Sequence, residues 1–151
     1  MIVYRLCKSP WEEDLSGQGA KITGGRWNSK GIAVVYTSSS RALCVTEIAV
    51  HTPLGCLPQD YFLIEIHIPE NCSIKEILVS DLPRNWQSFE KRQITQHIGN
   101  SFIQLCKALI LKVPSAVVQG DFNYLINPEH KDIQSIRILN KEAFIFDERL
   151  F

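Results

Sequence analysis

Hydrophobic positions along this chain fall into many short strand-like runs and only two helical stretches. Phe62, Ile64, Ile66 and Ile68 are interleaved with Glu65 and His67, a period of two that predicts a strand. Ile2–Leu6 and Ile32–Thr37 are β-rich runs bounded by turn residues and are read the same way. Two stretches suit helices. Arg41–His51 follows serines at 38 to 40 that can cap it, contains no Gly or Pro, and stops before Thr52-Pro53. Farther on, Ile94, Ile98, Phe102, Leu105 and Leu109 form one helical stripe that predicts a core-packing helix, in spite of the weakening Gly99. Beyond it, Leu109–Val113, Ala116–Val118, Tyr124–Ile126, Ile136–Leu139 and Ala143–Phe146 are short β-prone runs separated by Pro114, Gly120, Asn127-Pro128 and Asn140. The pattern predicts an α+β fold of mainly antiparallel sheets with two or three helices. No repeat, linker or low-complexity segment marks a boundary, so residues 1–151 are read as a single domain.

Composition narrows the function classes. With 45% hydrophobic and 21% charged residues the chain has the make-up of an ordinary globular protein. Its 16 basic and 16 acidic side chains cancel, which removes any broad electrostatic basis for direct nucleic-acid or membrane binding. Five cysteines without a C-x-x-C pair are expected to be buried free thiols rather than a zinc or redox site. The start of the sequence is strand-like and lacks the parts of a signal peptide, so the cytoplasm is the expected location. There is no G-x-G-x-x-G after a strand, no Walker A sequence and no G-x-S-x-G elbow, which argues against a dehydrogenase that reuses its dinucleotide.

The candidate chemistry is concentrated in Gly24-Gly25-Arg26-Trp27-Asn28, followed by Tyr36 and Glu47. Paired glycines let backbone approach a ligand, a guanidinium grips phosphate by two parallel bonds, and a tyrosine offers a flat face and a hydroxyl. Taken singly, each has an ordinary reading: a turn with a solvated arginine, a strand-end aromatic, an exposed helix carboxylate. It is their order that suggests a site. Trp27 either lines the cleft or fills space beneath the loop. His51, His67 and His97 read as surface residues, His130 as part of a turn, and Trp86 and Phe89 as packing for the second helix.

A longer pattern joins these residues: Tyr4-Arg5, Gly19-Ala20, Gly25-Arg26-Trp27-Asn28, Gly31, Tyr36, Glu47, Pro114-Ser115-Ala116-Val117-Val118, Asn123, Asn127-Pro128, His130 and Phe146-Asp147-x-Arg149-Leu150. It resembles the RES domain, the toxin of RES-Xre toxin–antitoxin pairs, over nearly the whole chain. The resemblance implies a fold similar to ADP-ribosyltransferase catalytic domains and an activity that cleaves NAD at its nicotinamide–ribose bond, by hydrolysis or phosphorolysis. NAD is then a consumed substrate, with no retained cofactor and no metal. Arg26, Tyr36, Glu47 and Ser115 match the family's active-site positions, and Arg5 matches a further arginine. On this basis Glu47, Arg26 and Tyr36 are the expected catalytic residues, and Arg5, Gly25, Trp27, Ser115 and Asn123 join Arg26 and Tyr36 in binding NAD. Glu47 would stabilise the ribosyl cation, and Arg26 would hold the pyrophosphate. The implied partner is an Xre-type antitoxin that carries the DNA contact, in a toxin–antitoxin hetero-oligomer or beside a homo-oligomer. The alternatives are an ADP-ribosyltransferase that modifies a cellular protein, and an inert binding subunit.

Overall fold

The alternation around residues 62–68 builds a strand, β3 (Tyr61–His67), at whose register most of the sheet is organised. A computed structural model describes residues 1–151. It adds β1 (Ile2–Lys8), β2 (Val35–Ser38), β4 (Ile74–Glu76), β5 (Ile110–Pro114), β6 (Phe122–Ile126) and β7 (Arg137–Phe144). The seven strands form one sheet in the order β4-β5-β6-β2-β1-β3-β7. Every pairing is antiparallel except that of β4 with β5. Three helices complete the α+β fold: α1 (Gln18–Thr23), α2 (Arg41–Ala49) and α3 (Arg92–Leu105). None of them is long and apolar enough to cross a membrane.

Successive strand residues point to opposite faces, so the sheet separates two cores. Val3, Cys7, Val35, Ile64, Ile66, Ile110 and Ile126 fill one. On the other, Leu111, Val113 and Leu125 meet Phe102 and Ile103 of α3, with Trp27 and Trp86 wedged beside them. Each such side chain contributes roughly 1.5–3 kcal/mol by leaving water.

Several local readings change. Ala116–Val118 is not a strand, because the Ser115 hydroxyl accepts from the backbone N–H of both Val117 and Val118 and turns the chain. Asn140 does not divide two strands: β7 runs through it, with an irregular register opposite Glu65 and Ile66. Helix α2 ends at Ala49 and starts as expected, with Ser40 Oγ accepting from Leu43 N at 3.0 Å. Helix α3 is rotated from its predicted stripe. It buries Thr95, Gly99, Phe102 and Ile103, while Ile94 and Leu105 are exposed. The thiols are all free, but only Cys7 and Cys44 are buried; Cys72 and Cys106 are half-buried and Cys56 is exposed. Trp86 does pack, whereas Phe89 is 80% exposed.

Candidate active site

Gly99 explains why α3 is rotated. A Cβ built there would lie 1.7 Å from the Trp27 carbonyl oxygen, so the missing side chain is what lets the Gly24–Asn28 loop press against the helix. Hydrogen bonds then fasten loop to helix. Arg92 Nε and Gln96 Nε2 both donate to the Gly25 carbonyl, at 3.1 and 2.9 Å, and Thr95 Oγ1 donates to the Arg26 carbonyl at 2.7 Å.

Tyr36 fixes the loop from the sheet side. Its hydroxyl donates to Asn28 Oδ1 at 2.8 Å and accepts from Trp27 N at 3.0 Å. Asn28 is fully buried, and its Nδ2 donates to the carbonyls of Ala20 and Ile32, both at 2.8 Å. Gly25 must lack a side chain here, because a Cβ would stand 2.4 Å from the Tyr36 hydroxyl. Burial pushes the Tyr36 phenol well above its ordinary pKa, so it stays a neutral hydroxyl.

Arg26 is half-buried and spends its fork on the carbonyls of Trp86 and Gln87, at 3.2 and 2.7 Å, with its guanidinium 6.0 Å from the Trp86 ring centre. Burial, then the neighbouring Arg92, lowers its pKa. A guanidinium stays charged even so, and one that has lost water beside a second cation is suited to an anion.

Glu47, on α2, receives two hydrogen bonds on one oxygen. Asn123 Nδ2 donates to Oε1 at 2.7 Å and Ser115 Oγ donates to it at 3.1 Å. Oε2 makes no hydrogen bond within the chain. The Asn123 amide is itself oriented, because Ser38 Oγ donates to Asn123 Oδ1 at 2.7 Å and leaves Nδ2 facing the carboxylate. Ser38, Asn123 and Tyr36 share one face of the sheet, since Ser38 is registered with Asn123 and Tyr36 with Leu125. Arg26 and Glu47 both lie within electrostatic reach of Tyr36. A carboxylate, a buried phenol and a guanidinium thus converge, an arrangement able to stabilise a cation at one end and an anion at the other.

Gly25, Arg26, Tyr36, Glu47, Ser115 and Asn123 are therefore brought to the same side of the sheet. Arg5 is not. It alternates with Tyr4, over whose ring Arg41 of α2 lies, and it is registered with buried Ile64 of the opposite core. Its guanidinium donates to the Asp14 carbonyl on that far side. Trp27 is 3% exposed and its ring lies 5.9 Å from that of Trp86, so it fills space beneath the loop and offers the site only its backbone N–H. Ser38, Asn28, Arg92 and Gln96 are supporting residues that sequence reasoning missed. Asn28 lies within the Gly24-Gly25-Arg26-Trp27-Asn28 stretch and Ser38 carries the signal of a helix cap, whereas Arg92 and Gln96 carry no local signal. No three His, Cys, Asp or Glu side chains come together in a way that could hold a metal ion.

The family model described as RES domain matches residues 2–147. "Prs ADP-ribosylating toxin" of Sphingobium sp. (strain YBL2) is 39% identical over 140 residues, covering 91% of this chain and 87% of that protein. "Toxin Res" of Photorhabdus laumondii is 37% identical over 152 residues, covering 99% and 97%. Among solved structures, a chain of the M. tuberculosis MbcT–MbcA toxin–antitoxin complex matches with a TM-score of 0.76 over 95% of this chain and 84% of its own length. At 18% identity that likeness speaks for the fold.

Proposed function

The chain belongs to the RES domain family, and from that premise and the chemistry of the cleft we propose that it is a toxin that cleaves NAD at the nicotinamide–ribose bond. The observation that carries this reading is Glu47, held through Oε1 by Asn123 and Ser115 with Oε2 left over, on the side of the sheet that presents Tyr36 and Arg26.

Breaking that bond builds positive charge on the ribose, and nicotinamide leaves as a neutral molecule without needing a general acid. The demand on the protein is a fixed negative charge and a fixed substrate. Glu47 supplies the charge: Oε2 faces the developing cation or a ribose hydroxyl, while its two donors keep the carboxylate from turning. Arg26 takes the pyrophosphate, exchanging carbonyl partners for a bidentate anion. Tyr36 acts mainly through its ring, because its hydroxyl is committed to the loop. Binding energy from the unreactive half of NAD then offsets distortion at the ribose.

A second reading, transfer of ADP-ribose to a cellular protein, is favoured by the name of the Sphingobium relative and uses the same residues. In either case the chain acts in the cytoplasm and is restrained there by an Xre-type antitoxin that covers the cleft. Incubating the pure protein with NAD separates the readings. Free nicotinamide without any acceptor protein marks NAD cleavage, and a dependence on inorganic phosphate marks phosphorolysis over hydrolysis. Release only after cell extract is added, with ADP-ribose attached to protein, marks transfer; no release in either condition contradicts both.

A further inference from the structure

Between β4 and α3 the chain lies against the Arg26-Trp27 pair as a strap, Leu78–Ser88, with few attachments. Its backbone N–H groups close turns within it: Asp81 donates to Leu78 O, Leu82 to Val79 O, Trp86 to Pro83 O and Ser88 to Asn85 O. Between its junctions at Ile77 and Lys91 the strap is hydrogen-bonded to the rest of the protein only by Arg26, whose two terminal nitrogens donate to the carbonyls of Trp86 and Gln87 at 3.2 and 2.7 Å. Its packing is sparse as well. Leu82 and Trp86 alone are buried, the latter with its ring 5.9 Å from that of Trp27, while Leu78 and Val79 are exposed.

Two features weaken the docked position. The Trp86 indole N–H is buried without an acceptor. Asn85 holds a left-handed φ of 60°, a conformation unfavourable for residues with a Cβ. A segment with local hydrogen bonds and few buried contacts opens at a free energy well below that of global unfolding. Meanwhile the paired terminal nitrogens of Arg26, the fork that grips an anion by two parallel bonds, are taken up by this strap. A ligand that takes the fork removes the strap's hydrogen bonds to the body, and by reciprocity a looser strap frees the fork.

We propose that Leu78–Ser88 is an autoinhibitory latch that competes with the anionic ligand of Arg26. Docked, it occupies the guanidinium; displaced, it opens the anchor. The proposal rests on the reading of Arg26 as the pyrophosphate anchor, so inorganic pyrophosphate is the probe, and trypsin is the reporter because Arg84 is exposed in the middle of the strap. Saturating pyrophosphate speeds trypsin cutting after Arg84 at least about fivefold. That sign is distinctive, since a ligand of the folded state ordinarily protects a chain from proteolysis. In Arg26→Ala the same bond is cut fast with or without pyrophosphate. Asn85→Val, an exposed change that a left-handed turn tolerates poorly, binds pyrophosphate about fivefold more tightly than the parent by calorimetry. A urea unfolding curve checks that it folds.

Pyrophosphate that binds while trypsin cutting after Arg84 is unchanged or slowed would overturn the latch, because the anion then uses another edge of Arg26 or another site and the strap stays. Arg26→Ala protein as resistant as the parent would overturn it too, as would Asn85→Val that binds pyrophosphate no more tightly or not at all. Nicotinamide release from NAD by the same protein keeps the two readings apart. Release from a protein whose strap is indifferent to pyrophosphate removes the latch and leaves NAD cleavage standing; a strap that pyrophosphate loosens in a protein releasing no nicotinamide keeps the latch and removes the NAD reading.

Discussion

Glu47 is tied at one oxygen and open at the other, and that asymmetry sets what its neighbours must do. Ser38 never reaches Glu47, but it decides which end of the Asn123 amide does. Ser38→Ala is expected to lower nicotinamide release about tenfold with little change in KM, because the carboxylate is less well aimed. Ser38→Thr, which keeps the hydroxyl, restores most of it; equal activity in Ser38→Ala and the parent would contradict the role. Tyr36→Phe has a structural cost that the sequence did not reveal. It leaves the Trp27 N–H and Asn28 Oδ1 without their shared partner, an expected loss of about 1–3 kcal/mol in urea unfolding. The positions of Tyr36 and Glu47 were legible from the chain because strand and helix patterns flank them. Arg5 was misplaced because its motif ignores parity: one residue along a strand changes the face, and Tyr4, not Arg5, points toward α2.

Helices carry the site in opposite ways. Helix α2 was readable from its start, since serine capping is a local signal, but it ends at Ala49, short of the His51 that the following proline suggested. Helix α3 was found but rotated, because what selects its buried face is a loop some seventy residues earlier in sequence. A Gly99→Ala exchange tests this with an unusual sign. Alanine raises helix propensity by about 1 kcal/mol, yet here it collides with the Trp27 carbonyl. The expected result is net destabilisation of at least about 2 kcal/mol with loss of activity; a more stable protein would contradict the loop packing. Cys44 on α2 gives a pH signature. Burial raises its thiol from 9.0 to about 11, so stability it contributes is intact below pH 9 and is lost as pH rises through 11. Urea midpoints should fall across that window, and Cys44→Ala should flatten the fall.

At the scale of the molecule, one sheet separates a plain apolar core from a second core that borders the chemistry. The α+β class and most strands followed from β-prone runs bounded by turn residues, with alternation marking β3. The short parallel strand β4 escaped because its three residues are exposed and give no pattern. Ala116–Val118 looked like a strand and is a turn that delivers Ser115 to Glu47. That error had a functional cause, since the hydroxyl that breaks the strand is the one the site uses. The central claim is that Glu47, so held, drives loss of nicotinamide from NAD. Its most direct measure is nicotinamide released by purified protein and by the Glu47→Gln form, which keeps the shape and loses the charge. The account predicts a fall of at least about a hundredfold with the fold intact; undiminished release from Glu47→Gln would contradict it.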